Sequence, residues 1–215
     1  MVLGILVAAP LFALILFRYV DPTSVPMLSD RLAGMTVAHR FVPLEDVAPP
    51  LVWSVIAAED QRFCSHGGVD WDALFTQVDR LRAGEDPRGA STLTMQVVKN
   101  LFFGTDRSYV RKVLEVPLAL AADIILGKER VFEIYVNIAE WGEGIYGVEA
   151  AAQAYFRRPA RDLTLRDAAR LASALPNPQA RNPANPTGAH RRLAGIVEGR
   201  APQMGAYITC ILGEG

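Results

Sequence analysis

The sequence predicts a mainly α-helical domain behind one apolar N-terminal helix. Apolar residues recur at helical spacing through most of the chain, cap residues stand where those periodic runs begin, and no stretch alternates long enough to make a sheet. A length of 215 residues supports one domain with a sizeable core plus an appendage. The formal net charge of -1 speaks against a nucleic-acid partner, because that class carries a strongly basic balance. Any anion site must therefore be local.

The appendage comes first. Val2 to Phe17 is an apolar run closed by Arg18. At about 1.5 Å per residue it stands near the lower limit for crossing a hydrocarbon core of about 30 Å. A transmembrane anchor, a cleaved signal peptide and a buried core helix compete for it. No small-x-small cleavage site follows in Arg18-Tyr19-Val20-Asp21-Pro22, so an anchor over residues 1–20 is the expectation. Only Met1 precedes the run, which leaves topology to weak charge asymmetry. Residues 21–48 contain Pro22, Pro26 and Pro43 without helical periodicity and read as an extended linker; the domain proper is expected over residues 49–215.

Within that domain Val52, Val55 and Ile56 share one helical face, and Trp71, Leu74, Phe75 and Val78 share the next. Trp53, Trp71 and Trp141 read as core or interface residues. Ser91 is the expected N-cap of a helix over Leu93 to Phe102, with Gly104 just past its close. Ser108 and Thr164 are expected caps, and Thr164 with Asp167 forms an acidic variant of the capping box. Val131, Ile134, Tyr135 and Ile138 mark a further amphipathic helix, and Val148 to Phe156 an alanine-rich one. Pro159, Pro176, Pro178, Pro183 and Pro186 punctuate the later loops, and there is no internal repeat. Cys64 and Cys210 are the only cysteines, too few for a disulfide scaffold or a multi-cysteine metal site. Nothing in the sequence brings them together, so two unpaired thiols is the expectation, with a single bridge open to a protein outside the cytoplasm.

Three stretches could carry chemistry. In Ala57-Ala58-Glu59-Asp60-Gln61-Arg62-Phe63, two carboxylates close an apolar helix, where the C-terminal dipole and a dry setting raise a carboxyl toward the range of a general base. Solvated or capping acids are the bland alternative. Next, Arg88-Gly89-Ala90-Ser91-Thr92 runs into a helix whose start could hold an anion, with Gln96 and Lys99 projecting from one face; an ordinary capped helix would look the same. Finally, Arg111 and Glu115 stand four apart as an ion pair on a helix, and Pro117 should kink that helix directly after Glu115 and turn its carboxylate toward a cleft. A surface pair beside a bend is the competing reading.

Together and in this order, these stretches resemble the peptidoglycan glycosyltransferases, the polymerising modules of bifunctional penicillin-binding proteins and their monofunctional relatives. The resemblance rests on Glu59 to Phe63 with His66-Gly67 and Asp70, on Gly89 to Asn100, on Arg111-Lys112 with Glu115, and on Lys128 through Ile134-Tyr135-Val136-Asn137. Gly144 to Ala151, Tyr155-Phe156 and Leu175-Pro176-Asn177-Pro178 continue it, so it covers about residues 41 to 185. With no transpeptidase-length extension, the monofunctional type is the nearest. Departures are Ala90 for a glycine, Met95 where glutamine is common, and Leu114 for a lysine some members carry.

The resemblance implies a lysozyme-like, two-lobed helical domain acting on lipid II, a disaccharide-pentapeptide on undecaprenyl diphosphate, and on the nascent glycan strand. It implies Glu59 as the catalytic base and Glu115 as a second catalytic glutamate near the donor diphosphate. Ser91, Gln96, Lys99, Arg107, Arg111 and Lys112 would form the donor-side substrate site. Asp60, His66 and Gly67 would order the Glu59 loop. No obligatory cofactor follows; Mg²⁺ or Mn²⁺ is compatible, and no dedicated metal cage is visible. The implied setting is the bacterial inner membrane, crossed once, with the catalytic domain on the periplasmic side, beside the bilayer and other wall-synthesis or division proteins. A lytic glycan-cleaving enzyme of lysozyme-like fold would need no diphosphate site, and a non-catalytic scaffold of a wall-synthesis complex would not need both glutamates.

Overall fold

The computed structural model of the chain describes residues 2–85, 89, 91–104 and 109–213. Helix α1 spans Val2–Phe17 and has Pro10 inside it. Among the described residues no helix is long and apolar enough to cross a membrane. The C-terminal half of α1 leans on the domain instead of standing clear of it, with Leu14 buried in the core. The Arg18 guanidinium donates to the Ile125 carbonyl at 2.6 Å, and Arg130 donates to the carbonyls of Phe17 and Val20, both at 3.0 Å. A cation on the last carbonyls of a helix is favourable against the helix dipole.

The expected linker is not extended throughout. Helix α2, Val25–Leu32, starts at Ser24, whose hydroxyl accepts from the Met27 N–H, with a proline in its first turn. Eight residues are too few for helical periodicity to stand out in sequence. The helix holds because Met27 is buried and Asp30 accepts from the Tyr146 hydroxyl at 2.7 Å. Strand β1, Ala38–His39, follows.

Helix α3, Pro49–Glu59, starts on two prolines, a position where the missing N–H costs nothing. Leu51, Val52, Val55, Ile56 and Ala57 are buried all round it, as befits a helix at the centre of the molecule. Helix α4, Trp71–Arg82, is capped by Asp70, which accepts from the Ala73 N–H. Its apolar face is less covered than the sequence suggests: Trp71 is 45% and Phe75 60% exposed, the two rings stacked 6.2 Å apart. The other two tryptophans fit expectation, Trp53 packing partly buried against the core and Trp141 fully buried with its Nε1–H on the Val136 carbonyl at 3.2 Å.

Helix α5, Leu93–Val98, is capped by Thr92 and not by Ser91: the Thr92 hydroxyl accepts from Met95 at 3.1 Å and donates to the Gly68 carbonyl at 2.6 Å. The buried second contact selects the threonine, whereas Ser91 points to Lys112. A π-helical turn, Lys99–Phe103, continues α5 to Gly104. Helix α6, Tyr109–Ile138, carries Pro117 without leaving helical geometry. The expected kink after Glu115 is therefore not where the helix breaks; the non-helical residue is Gly127, at φ 77° and ψ 164°. Proline removes the donor for the Val113 carbonyl, but Val113 is at the surface, where solvent is at hand. Ser108, the expected cap, lies outside the described residues.

Strands β2, Glu140–Gly142, and β3, Ile145–Tyr146, complete a sheet of order β1-β3-β2, with β1 parallel and β2 antiparallel to β3. These strands are too short to show alternation in sequence. Helix α7 spans Val148–Phe156 and α8 spans Leu165–Ala174, the latter with the full Thr164–Asp167 capping box. Helix α9, Gly188–Arg200, has no counterpart in the sequence reading; Thr187 caps it. Helix α10, Thr209–Leu212, ends the described chain. Helices α3 and α8 pack together at the centre, with α9 against both.

Cys64 and Cys210 form a disulfide, with their Cα atoms 5.7 Å apart. The expectation of two free thiols is thus corrected. A separation of 146 residues hides the pairing from any local pattern; the packing of α10 beside the turn after α3 brings the two together.

Candidate active site

Glu59 is the last residue of α3, and Asp60 turns the chain out of it. The Asp60 carboxylate accepts from the Leu93 N–H at 3.0 Å, so it satisfies a free donor at the start of α5. Both of its oxygens stand 3.1 Å from the His66 Nε2, with side chains buried on either side. Gly68 closes this corner: at φ +81° it lies so near α6 that a Cβ would stand 2.5 Å from the Ala119 carbonyl oxygen. Asp60, His66 and Gly68 therefore tie the end of α3 to α5 and α6, and Glu59 is aimed by all three elements.

The Glu59 Oε2 accepts from the Gln96 amide at 3.0 Å, and the Tyr135 hydroxyl donates to the Gln96 Oε1 at 3.3 Å. The Oε1 of Glu59 is buried and accepts no hydrogen bond from a described residue. Burial holds the Glu59 carboxyl above its ordinary value; Asp60 adds to that, while the Gln96 bond, Lys99 and Arg181 pull it back. A carboxyl in this condition, with one oxygen held and the other without a hydrogen bond, is equipped to take a proton.

Glu115 is 2% exposed on α6. Its Oε1 stands 2.8 Å from the Arg111 Nε and its Oε2 3.4 Å from the Lys112 Nζ, which also donates to the Ser91 hydroxyl at 2.8 Å. Lys99 faces the same group. Burial pushes its ammonium below the usual lysine value, Arg111 and Lys112 act in the same direction, and Glu115 and Glu59 oppose it. Among the described residues, Lys99, Arg111 and Lys112 thus gather around Glu115, an arrangement suited to an anionic leaving group. A divalent cation fits poorly, since both oxygens of Glu115 already face cations and the described residues hold no cluster of metal-ligating side chains.

A cavity of about 290 Å³ opens beside Glu59 and is lined by Asp60, Arg62, Asp70, Ser91 and Thr92. Another of about 210 Å³ is lined by Lys99, Asn100, Tyr135, Glu140 and Tyr146. The larger cavity of about 850 Å³ beside Cys64, Gln203 and Tyr207 contains neither glutamate.

The structure thus brings together Glu59, Gln96 and Lys99, and groups Ser91, Arg111, Lys112 and Glu115 beside them. Gln96 is engaged with Glu59 instead of with the neighbouring cations. Arg107 lies outside the described residues, as does the departure at Ala90. Of the other departures, Met95 is buried in the core and Leu114 is half exposed. Sequence reasoning gave no site role to Tyr135, taken as an apolar helix position and as part of the Ile134–Asn137 motif, nor to Arg181, which follows a proline loop without any local signal.

Residues 28–200 match the family model described as transglycosylase. The chain is 53% identical over 212 residues to the biosynthetic peptidoglycan transglycosylase of Brucella suis biovar 1, covering 98% of this chain and 95% of that one. To the protein of the same name from Agrobacterium fabrum it is 49% identical over 203 residues, covering 94% and 88%. A match of this extent, over a fold with the motif residues gathered at one cleft, shows that the chain belongs to the transglycosylase family.

Proposed function

We infer that the chain is a peptidoglycan glycosyltransferase of bacterial cell-wall synthesis, with lipid II and the growing glycan strand as its substrates. Its relatives are named for this activity, and Lys99 feels both glutamates while Arg111 and Lys112 contact Glu115. The observation that carries the mechanism is Glu59 itself, largely desolvated, with its carboxyl raised above the ordinary value and its Oε1 without a hydrogen-bond partner. In the transfer step the 4-hydroxyl of the acceptor sugar loses its proton to Glu59. Its oxygen bonds the anomeric carbon of the donor from the face opposite the leaving group. The carbon–oxygen bond to the diphosphate breaks, the electron pair leaves with undecaprenyl diphosphate, and configuration inverts. Lys99, Arg111 and Lys112, oriented by Glu115 and Ser91, meet the charge developing there.

A lytic enzyme needs no such cation cluster, and a scaffold needs no raised carboxyl, so neither alternative is favoured. The setting is the inner membrane. Helix α1 with Arg18 anchors the chain over residues 1–20, the domain follows on the periplasmic side, and the Cys64–Cys210 bridge suits that oxidising compartment. An anchor keeps the cleft at the surface where a lipid-linked substrate resides, which raises its effective concentration.

Purified protein incubated with labelled lipid II tests the reading. Wild type is expected to yield polymer and undecaprenyl diphosphate, and Glu59→Gln to yield neither. No polymer in any detergent or divalent-cation condition would turn the assignment to the scaffold, and an unaffected Glu59→Gln would remove Glu59 from the mechanism.

A further inference from the structure

We propose that Tyr135 is a positioning residue for the transfer step: acting through Gln96, it holds the Glu59 carboxylate by Oε2 and so fixes the orientation of the base. The proposal rests on Glu59 being the base, and it adds a residue whose hydroxyl bonds Gln96 and not Glu59.

Tyr135 lies on α6 and is 1% exposed, and its hydroxyl donates to the Gln96 Oε1. Burial drives the phenol well above its ordinary value, and the charges of Glu59 and Asp60 reinforce this, so it remains a donor at every working pH. A glutamine amide has one accepting end and one donating end. With Oε1 taken by the phenol, Nε2 is turned toward Glu59 and bonds Oε2 at 3.0 Å. The reversed amide would set its carbonyl against the carboxylate. Hydrogen bonds therefore run in one direction, from Tyr135 through Gln96 to ionised Glu59, and Oε1 is left as the buried oxygen without a partner.

Without the phenol hydroxyl, Gln96 keeps its place on α5 but loses the contact that fixes its rotation. Its hold on Oε2 loosens, and that hold favours the ionised carboxylate. The other charged groups that face Glu59 are Lys99, Asp60 and Arg181, and Tyr135→Phe leaves all three in place. Removing the hydroxyl should therefore raise the carboxyl further and leave it less firmly oriented. A tyrosine that only fills space would do neither.

The test compares full-length wild type, Tyr135→Phe, Gln96→Met and Glu59→Gln in detergent. The Glu59 carboxyl is followed by ¹³C NMR titration, assigned by its loss in Glu59→Gln, and lipid II polymerisation is measured across pH. Tyr135→Phe is expected to move the Glu59 midpoint and the acidic limb of the rate profile upward together. At neutral pH kcat should fall by about tenfold, the loss of one hydrogen bond, with KM little changed. Gln96→Met should show the same displacement, and Tyr135→Phe should add nothing to it in the double variant. A Glu59 midpoint unmoved in both single variants, or losses that simply add, would overturn the proposal. If the midpoint moves but wild type forms no polymer, the positioning stands and the glycosyltransferase reading fails. Gln96→Met carries the same test should Tyr135→Phe not fold.

Discussion

Replacing both Cys64 and Cys210 with serine removes the covalent tie between α10 and the turn that follows Glu59. The bridge spans a sequence separation of 146, so it closes most of the domain into one loop. In the chain-entropy model a loop of that length stabilises the fold by about 5 kcal/mol, and native bridges commonly give about 2–4 kcal/mol once denatured-state structure is included. For a chain of this size each kcal/mol moves the melting temperature by about 2–4 °C, so a loss of about 3 kcal/mol lowers it by roughly 6–12 °C. Thermal unfolding followed by circular dichroism, on oxidised wild type, dithiothreitol-reduced wild type and the double serine variant, reads this directly. Reduced and serine proteins should melt together, below the oxidised one. Indistinguishable melting temperatures for all three would refute the reasoning that the bridge constrains the unfolded chain.

Two further outcomes are expected. Burial raises the Glu59 carboxyl from an ordinary value of 4.5, so the folded protein binds this proton more tightly than the unfolded chain does. The resulting stability is present at low pH and is lost as pH rises through the folded value; Glu59→Gln should therefore melt higher than wild type at pH 8, with a difference that shrinks toward pH 4, and an equal difference at both would count against a strained base. Removing residues 1–20 should lower polymerisation in membranes more than in detergent; equal loss in both would argue that α1 serves the fold through Leu14 and Arg18 instead of anchoring it.

Much of the helical framework is legible because its signals are local. The apolar face of Val52, Val55 and Ile56, the capping box of Thr164 and Asp167, and the alanine-rich run of α7 each lie within a few turns of chain, and the structure repeats them. Elements held by distant partners are not legible. Helix α2 depends on the burial of Met27 and on Tyr146, a sequence distance of 116 from Asp30. The Thr92 cap is chosen over Ser91 by the Gly68 carbonyl. Pro117 is tolerated where a break was expected, and Gly127, whose left-handed backbone suits a residue without a side chain, takes the break instead.

The same division runs through the site. Residue types and order alone determined the candidate list, because a base, a second carboxylate and a group of cations must be present as side chains whatever the fold. Only the tertiary structure decided their condition. Glu59 is raised because the fold desolvates its carboxyl, and its Oε2 is held because α5 sets Gln96 against it and α6 backs Gln96 with Tyr135. Glu115 is buried, yet it is flanked by Arg111 and Lys112 on the same helix. Desolvation and hydrogen-bond direction depend on atoms far apart in the chain, and no local pattern encodes either.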